Sequence, residues 1–239
     1  MSEKSAVAPA HIFPAHIFPA MATPTIAIEG EDKFFPVRRI FCVGKNYADH
    51  VKEMGGDAKA DPPVFFTKPA DAVVASGSVV AFPPGTENLH FEGEYVLAIG
   101  MAGQHIQSTD AMAHVFGAAS GCDLTRRDLQ AAAKKAGAPW DMAKGFDQSA
   151  PIGAITRRLP SPNARLVTRV NGEIRQDARL SEMIWSPADI IASLSALVAL
   201  APGDLIFTGT PAGVGPLKRG DKIEVEVENM PTLECKISL

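Results

Sequence analysis

Asn171-Gly172 stands between two strand-like runs, "RLVTRV" and "EIRQ". A two-residue hairpin turn needs positive φ at both central positions, and Asn-Gly reaches that conformation with little strain. The stretch is therefore expected to pair as two antiparallel strands. Other strand signals surround it. "RRIFCVG" ends at Gly44, "PPVFFTKP" is bracketed by prolines, and "HFEGEYVLAIG", "GDLIFTG" and the strictly alternating "GDKIEVEVEN" follow. Helix signals are fewer. "SPADIIASLSALVAL" has Ser186 as N-cap, Pro187 in the first turn and a stop before Pro202-Gly203. "TRRDLQAAAKKAG" has Thr125 as its cap and ends at Gly137, and "STDAMAHVFGAASG" is expected to be a third helix. Strands without regular βαβ alternation make the fold class α+β, mostly β.

A chain of 239 residues is long enough for one large domain with a real core. The N-terminus carries a local duplication, "AHIFPAHIFPA", and two copies are too few for a solenoid. Residues 1–24 are read as an extended Pro-rich tail and residues 25–239 as one catalytic domain. Net charge is −4, which offers no basic footprint for nucleic acid and no polybasic patch for a membrane surface. The apolar stretch "IIASLSALVALAP" is too short to span a bilayer, and no charged segment followed by an apolar run suggests a secretory signal. Cys42, Cys122 and Cys235 are widely spaced and odd in number, which fits a reducing compartment, and a cytoplasmic location is expected.

Glu92 and Glu94 in "FEGEYVLAIG" are the first chemical anomaly. Strand alternation puts both carboxylates on one side, where like charges repel and burial adds a further cost. Either that face is wet or something positive sits between them. A second polar group follows: Asp123, Arg127 and Gln130 share one stripe if the local spacing is helical. Taken alone, such a stripe is more often a solvated helix face. If Glu92, Glu94 and Asp123 meet, three carboxylates would hold a hard divalent cation such as Mg²⁺ or Mn²⁺ and leave about three positions open. "GTPAGVG" lacks the lysine of a phosphate-binding loop, so no nucleotide site is expected.

In chain order the motifs "GKNYADHVKEMG", "PPVFFTKP", "FEGEYVLAIG", "GCDLTRRDLQ", "KGFDQSAPIG", "VNGEIRQ" and "PGDLIFTGTPAGVG" resemble those of the fumarylacetoacetate hydrolase family from Phe41 to the C-terminus. "TRRDLQ" and "KGFDQSAP" are most similar to its fumarylpyruvate hydrolase branch. The resemblance implies a mixed β-roll with a few flanking helices, assembled as a homodimer. It implies Mg²⁺, Mn²⁺ or Ca²⁺ held by Glu92, Glu94 and Asp123. It also implies a catalytic dyad of His50 and Glu53 on a mobile lid, with Lys144 as a further catalytic cation. Arg127, Gln130 and Thr210 would bind substrate. Two departures stand out: Lys45 replaces the usual arginine of G-R-N-Y, and Gly93 inside the acidic pair is expected to loosen the strand.

The residues agree with parts of this. His50 and Glu53 are one helical turn apart, so the carboxylate can orient the imidazole. "HVKEMGGDAKADPP" has little apolar area, as a lid requires. The activity implied is hydrolysis of a C–C bond in a 2,4-dioxo acid, fumarylpyruvate giving fumarate and pyruvate. A small 2-oxo acid is the expected partner. Oxaloacetate decarboxylation or tautomerisation of a 2-oxo acid on the same fold is the alternative, and a non-enzymatic metal-binding protein is the more distant one.

Overall fold

The computed structural model describes residues 17–19, 21–53 and 62–239. The hairpin forms as its turn demands. Strand Arg165–Val170 pairs antiparallel with Glu173–Arg179, and Asn171 and Gly172 take φ of 54° and 83°. That hairpin is one edge of a five-stranded sheet that continues through Lys222–Val227, Leu233–Ile237 and Val79–Val80.

A larger mixed sheet of seven strands runs in the order Val64–Lys68, Arg39–Gly44, Asp204–Phe207, Gly93–Ile99, Val115–Cys122, Ala150–Ile152 and Val73–Ala75. Gly93–Ile99 is buried along its whole length. Tyr95, Leu97 and Ile99 face a core that includes Ile190, Ile191 and Leu194 of helix Pro187–Leu197, while Val96 and Ala98 face a second core with Ile40, Cys42 and Phe207. Burial on both faces explains why "YVLAI" is continuously apolar rather than alternating. The result is a mostly β, α+β architecture, as the strand count implied.

Three expectations are corrected. "STDAMAHVFGAASG" is not a helix but a single 3-10 turn, Ala111–His114, running into strand Val115–Cys122. Its small residues serve close packing: a Cβ on Gly117 would lie 2.5 Å from Thr156 O, and one on Gly121 would lie 2.6 Å from Val96 Cγ2. The second helix begins at Arg127, because Thr125 and Arg126 pair as a short strand with Leu89–Phe91. Thr125 caps nothing; its hydroxyl donates to Asp123 O. Gly137 does close that helix, at φ 64°. The run "HFEGEYVLAIG" is two strands in two sheets, Leu89–Phe91 and Gly93–Ile99, and the chain crosses between sheets at Glu92.

Helix Pro187–Leu197 forms with Ser186 Oγ accepting from Asp189 N at 3.2 Å. It stops at Leu197, because Val198 turns extended and Leu200 pairs with Gly103. Most of the tail, and residues 54–61 of the segment expected to act as a lid, lie outside the described residues. The described tail residues 17–19 and 21–24 carry no helix or strand.

Candidate active site

Antiparallel pairing of Gly93–Ile99 with Val115–Cys122 sets Gly93 opposite Cys122. The next residues outward are Glu92 and Asp123, and Asp123 N donates to Glu92 O at 2.8 Å. Strand register therefore brings these two acids together. This corrects the helical stripe: Arg127 and Gln130 lie on the helix, and Asp123 precedes it. Glu92, Glu94 and Asp123 are all buried, and one carboxylate oxygen from each lies within 4.8 Å of the others. A wet face is excluded, and positive charge pairs with Glu92 and Asp123 but not with Glu94.

Three buried cations serve the cluster. Lys144 Nζ donates to Glu92 Oε2 at 2.7 Å, Asp123 Oδ2 at 2.6 Å and Thr125 Oγ1 at 2.7 Å, which uses all its protons. Arg127 bonds Glu92 Oε1, Gln130 Oε1 and, at 3.4 Å, His90 Nδ1. Lys68 Nζ pairs with Asp123 Oδ1 at 2.8 Å and donates to the carbonyls of Leu124 and Lys144. Beyond that ion pair, the buried Asp123 Oδ1 has no hydrogen-bond partner among the described residues. Lys68 has no distinguishing sequence signal beyond being a lysine at the end of the apolar run "PPVFFTKP".

The ionisation balance differs within the cluster. Burial pushes the Glu92 carboxyl up, but Lys144 and Arg127 outweigh it and hold Glu92 well below the usual range. Glu94 has no such partner. Burial first, then Asp123 and Glu92, push its carboxyl well above the usual range, against a single 2.7 Å hydrogen bond from Gly209 N. Lys144 is likewise disfavoured as a charge by burial, yet Asp123 and Glu92 raise its affinity for the proton. Burial and the Arg127 charge lower His90 to about 4, so it stands neutral, with Nε2 on Asn88 Oδ1.

Gly93 tightens the structure, contrary to the expectation that it loosens the strand. A Cβ there would lie 1.9 Å from Thr168 Oγ1. Gln176 Oε1 accepts from Gly93 N at 2.9 Å, while Gln176 Nε2 donates to Thr210 Oγ1 and Pro211 O. Thr210 Oγ1 in turn donates to Gly93 O at 2.9 Å. Gln176 stitches the acidic strand to the "GTP" loop. Sequence reasoning assigned it no role, although it closes the quoted motif "VNGEIRQ".

The dyad approaches from helix Ala48–Glu53. Asn46 pins the entry to that helix through Trp185 N, Trp185 O and Thr208 O. His50 is buried, not a surface residue, and its Nδ1 lies 3.1 Å from Glu53 Oε2. Glu53 also accepts from Gly213 N at 3.1 Å. Gly213 must be glycine: its φ is 98°, and a Cβ would fall 2.0 Å from Arg175 O.

His50, Glu92, Glu94, Arg127, Gln130, Lys144 and Thr210 line one cavity of ≈ 350 Å³; Glu53 and Asp123 stand behind them. The acidic set fits a hard divalent cation on two observations. Asp123 Oδ1 is a buried acceptor with no hydrogen-bond partner beyond the Lys68 ion pair, and Glu94 is a buried carboxyl with no ion-pair partner among the described residues. Glu92, Glu94 and Asp123 would hold it.

Residues 39–238 match the sequence profile described as fumarylacetoacetate hydrolase C-terminal. A mitochondrial oxaloacetate tautomerase of Mus musculus is 43% identical over 84% of this chain and 91% of its own length. Among solved structures, a fumarylpyruvate hydrolase from Pseudomonas aeruginosa, in complex with Mn²⁺ and pyruvate, superposes with a TM-score of 0.91. It is 44% identical, over 94% of this chain and 100% of that one. A 2-hydroxyhepta-2,4-diene-1,7-dioate isomerase from Mycobacterium marinum superposes at 0.76, with 35% identity over 85% of this chain and 76% of that one.

Proposed function

The chain belongs to the fumarylacetoacetate hydrolase family, and from that premise we propose that it is a divalent-cation-dependent hydrolase of 2,4-dioxo acids that cleaves fumarylpyruvate to fumarate and pyruvate. The observation that carries this reading is the His50–Glu53 pair, whose imidazole lines the same cavity as the carboxylate cluster. Cleavage by water needs a base beside the charge-stabilising centre, and His50 is the group in position to be that base.

With Nδ1 turned to Glu53, the Nε2 of His50 is the nitrogen left to take a proton from water. The resulting hydroxide attacks the 4-carbonyl, the bond to the pyruvate unit breaks, and the proton taken up by His50 returns to the enolate carbon to give pyruvate. Glu92, Glu94 and Asp123 would hold Mg²⁺ or Mn²⁺, which when bound would supply positive charge where negative charge develops on the departing enolate. Lys144 adds its own charge at that place and keeps Glu92 ionised, while bonding Asp123 as well. Arg127 fixes Gln130 through its side-chain oxygen, which turns the Gln130 amide N–H groups toward substrate recognition. Gly209 and Gly213, on one loop, present N–H groups to Glu94 and Glu53 respectively.

A second reading is tautomerisation of oxaloacetate, favoured by the 43% identity to the Mus musculus tautomerase. That reaction moves a proton without attack by water. The deciding experiment is product analysis on acylpyruvates and oxaloacetate with Mg²⁺ or Mn²⁺, with and without chelator. Fumarate and pyruvate in equal amounts support hydrolysis, whereas enol–keto interconversion alone rejects it. In this reading the enzyme is a cytoplasmic homodimer, and light scattering should return twice the 25.3 kDa chain mass. Among the described residues no helix is long and apolar enough to cross a membrane.

A further inference from the structure

Lys68, Lys144 and Arg127 are committed to the carboxylate cluster. Two other lysines line the same cavity, Lys45 and Lys134. Both are exposed, and among the described residues neither has an ion-pair partner. Lys45 follows strand Arg39–Gly44 at φ 63°. Lys134 lies in the last turn of helix Arg127–Ala136.

The helix sets the spacing. Arg127, Gln130 and Lys134 fall on one stripe, with Arg127 at the Glu92 end. At 1.5 Å per residue, Lys134 stands about 10 Å further along the axis, and its side chain leans back toward the helix start. The carboxyl carbons of an extended seven-carbon dicarboxylate are six bonds apart, roughly 7 Å on ordinary chain dimensions. Those of oxaloacetate are about half as far apart. Between the two ends stands an aromatic wall. Phe66 and Trp140 line the cavity with ring centroids 5.9 Å apart, and Lys134 Nζ lies 5.2 Å from the Trp140 ring.

We propose that Lys45 and Lys134 form a distal anion subsite, so that the cavity selects an elongated 2-oxo dicarboxylate over a short or singly charged one. The 2-oxo acid end is held beside Glu92 and Glu94, and the far carboxylate meets the two lysines. The subsite rests on the 2-oxo acid reading above and assigns the residues that receive the second carboxylate. Partial desolvation of its ammonium end, then the Arg127 charge, lower the proton affinity of Lys134, which an anion placed beside it would offset. Such exposed charges act modestly and are weakened by salt.

The test is calorimetry on the full chain loaded with Mn²⁺, using two unreactive acids of equal length, 2-oxoheptanedioate and 2-oxoheptanoate. The dianion should bind about tenfold more tightly at low salt. The double variant Lys45→Gln, Lys134→Gln should lose that preference while leaving the affinity for 2-oxoheptanoate unchanged. Equal binding of the two acids by the wild-type protein overturns the subsite, as does a preference that survives the double substitution. If neither acid binds, the subsite falls together with the 2-oxo acid reading. If the lysine-dependent preference holds but no acylpyruvate is cleaved, the subsite stands and the hydrolase reading falls.

Discussion

His50 Nδ1 lies 3.1 Å from Glu53 Oε2, and the same carboxylate accepts a hydrogen bond from Gly213 N. The imidazole is therefore oriented from below by a side chain that is itself anchored to a distant loop. His50→Ala should cut acylpyruvate hydrolysis by roughly 10²- to 10⁴-fold, the range of a lost general base. Glu53→Gln should act in the same direction, and the double variant should be little worse than His50→Ala, since the two work as one unit. Steady-state rates, with Mn²⁺ affinity measured alongside, check this. Full turnover by His50→Ala with normal metal binding would make the histidine structural only.

Metal affinity should depend on the three carboxylates. Asp123→Asn and Glu94→Gln should each weaken Mn²⁺ binding by more than about 100-fold, beyond what loss of a supporting group usually costs. Calorimetric titration reads the change. Unaltered affinity in both variants would remove Glu92, Glu94 and Asp123 as the ligand set.

The metal-free protein should lose stability as pH rises. Burial, Asp123 and Glu92 raise the Glu94 carboxyl well above its ordinary value of 4.5. The folded state then binds a proton that the unfolded chain has already released, so stability falls with pH from about 4.5 up to that raised value. Urea unfolding across this window should show the decline. Glu94→Gln should flatten it, and saturating Mn²⁺ should offset it. A stability that rises through the same window in the metal-free wild type contradicts the assignment.

Gly93→Ala should destabilise the fold by on the order of 1–3 kcal/mol, because the new Cβ meets Thr168 Oγ1 at 1.9 Å. Thr168→Ala, added to it, should recover part of the loss, since it removes the atom in the way. Thermal melts of the single and double variants decide; a wild-type melting temperature for Gly93→Ala would mean that the two strands separate at no cost.

Arg127→Lys should raise KM although charge is kept. A lysine cannot reach Glu92, Gln130 and His90 together as the planar guanidinium does. Kinetics indistinguishable from wild type would show that the Gln130 orientation does not matter to substrate.

Features with local causes were legible in the sequence. The Asn171-Gly172 turn and the Ser186 cap each depend on a few adjacent residues, and both appear where their chemistry put them. Strand Val115–Cys122 has the local signature of a helix because its glycines answer to Thr156 and Val96, neighbours that local periodicity does not reveal. Glu92 and Glu94 signalled a site because two acids in an apolar run demand an explanation. That Asp123 joins them follows from strand register, which the family resemblance anticipated and spacing alone did not. Lys68 and Gln176 gave no local sign, since their importance lies in partners on other strands.

Three buried cations already neutralise much of the carboxylate cluster, through Lys68, Lys144 and Arg127. Proteins whose structural metal is the only such compensation unfold when it is removed. Here the chain is expected to remain folded through metal scarcity, escaping the surveillance that clears unfolded polypeptides. On the proposed cation-dependent mechanism, a cell short of divalent cation would keep its stock of this protein in an idle form and regain activity on resupply, without new synthesis.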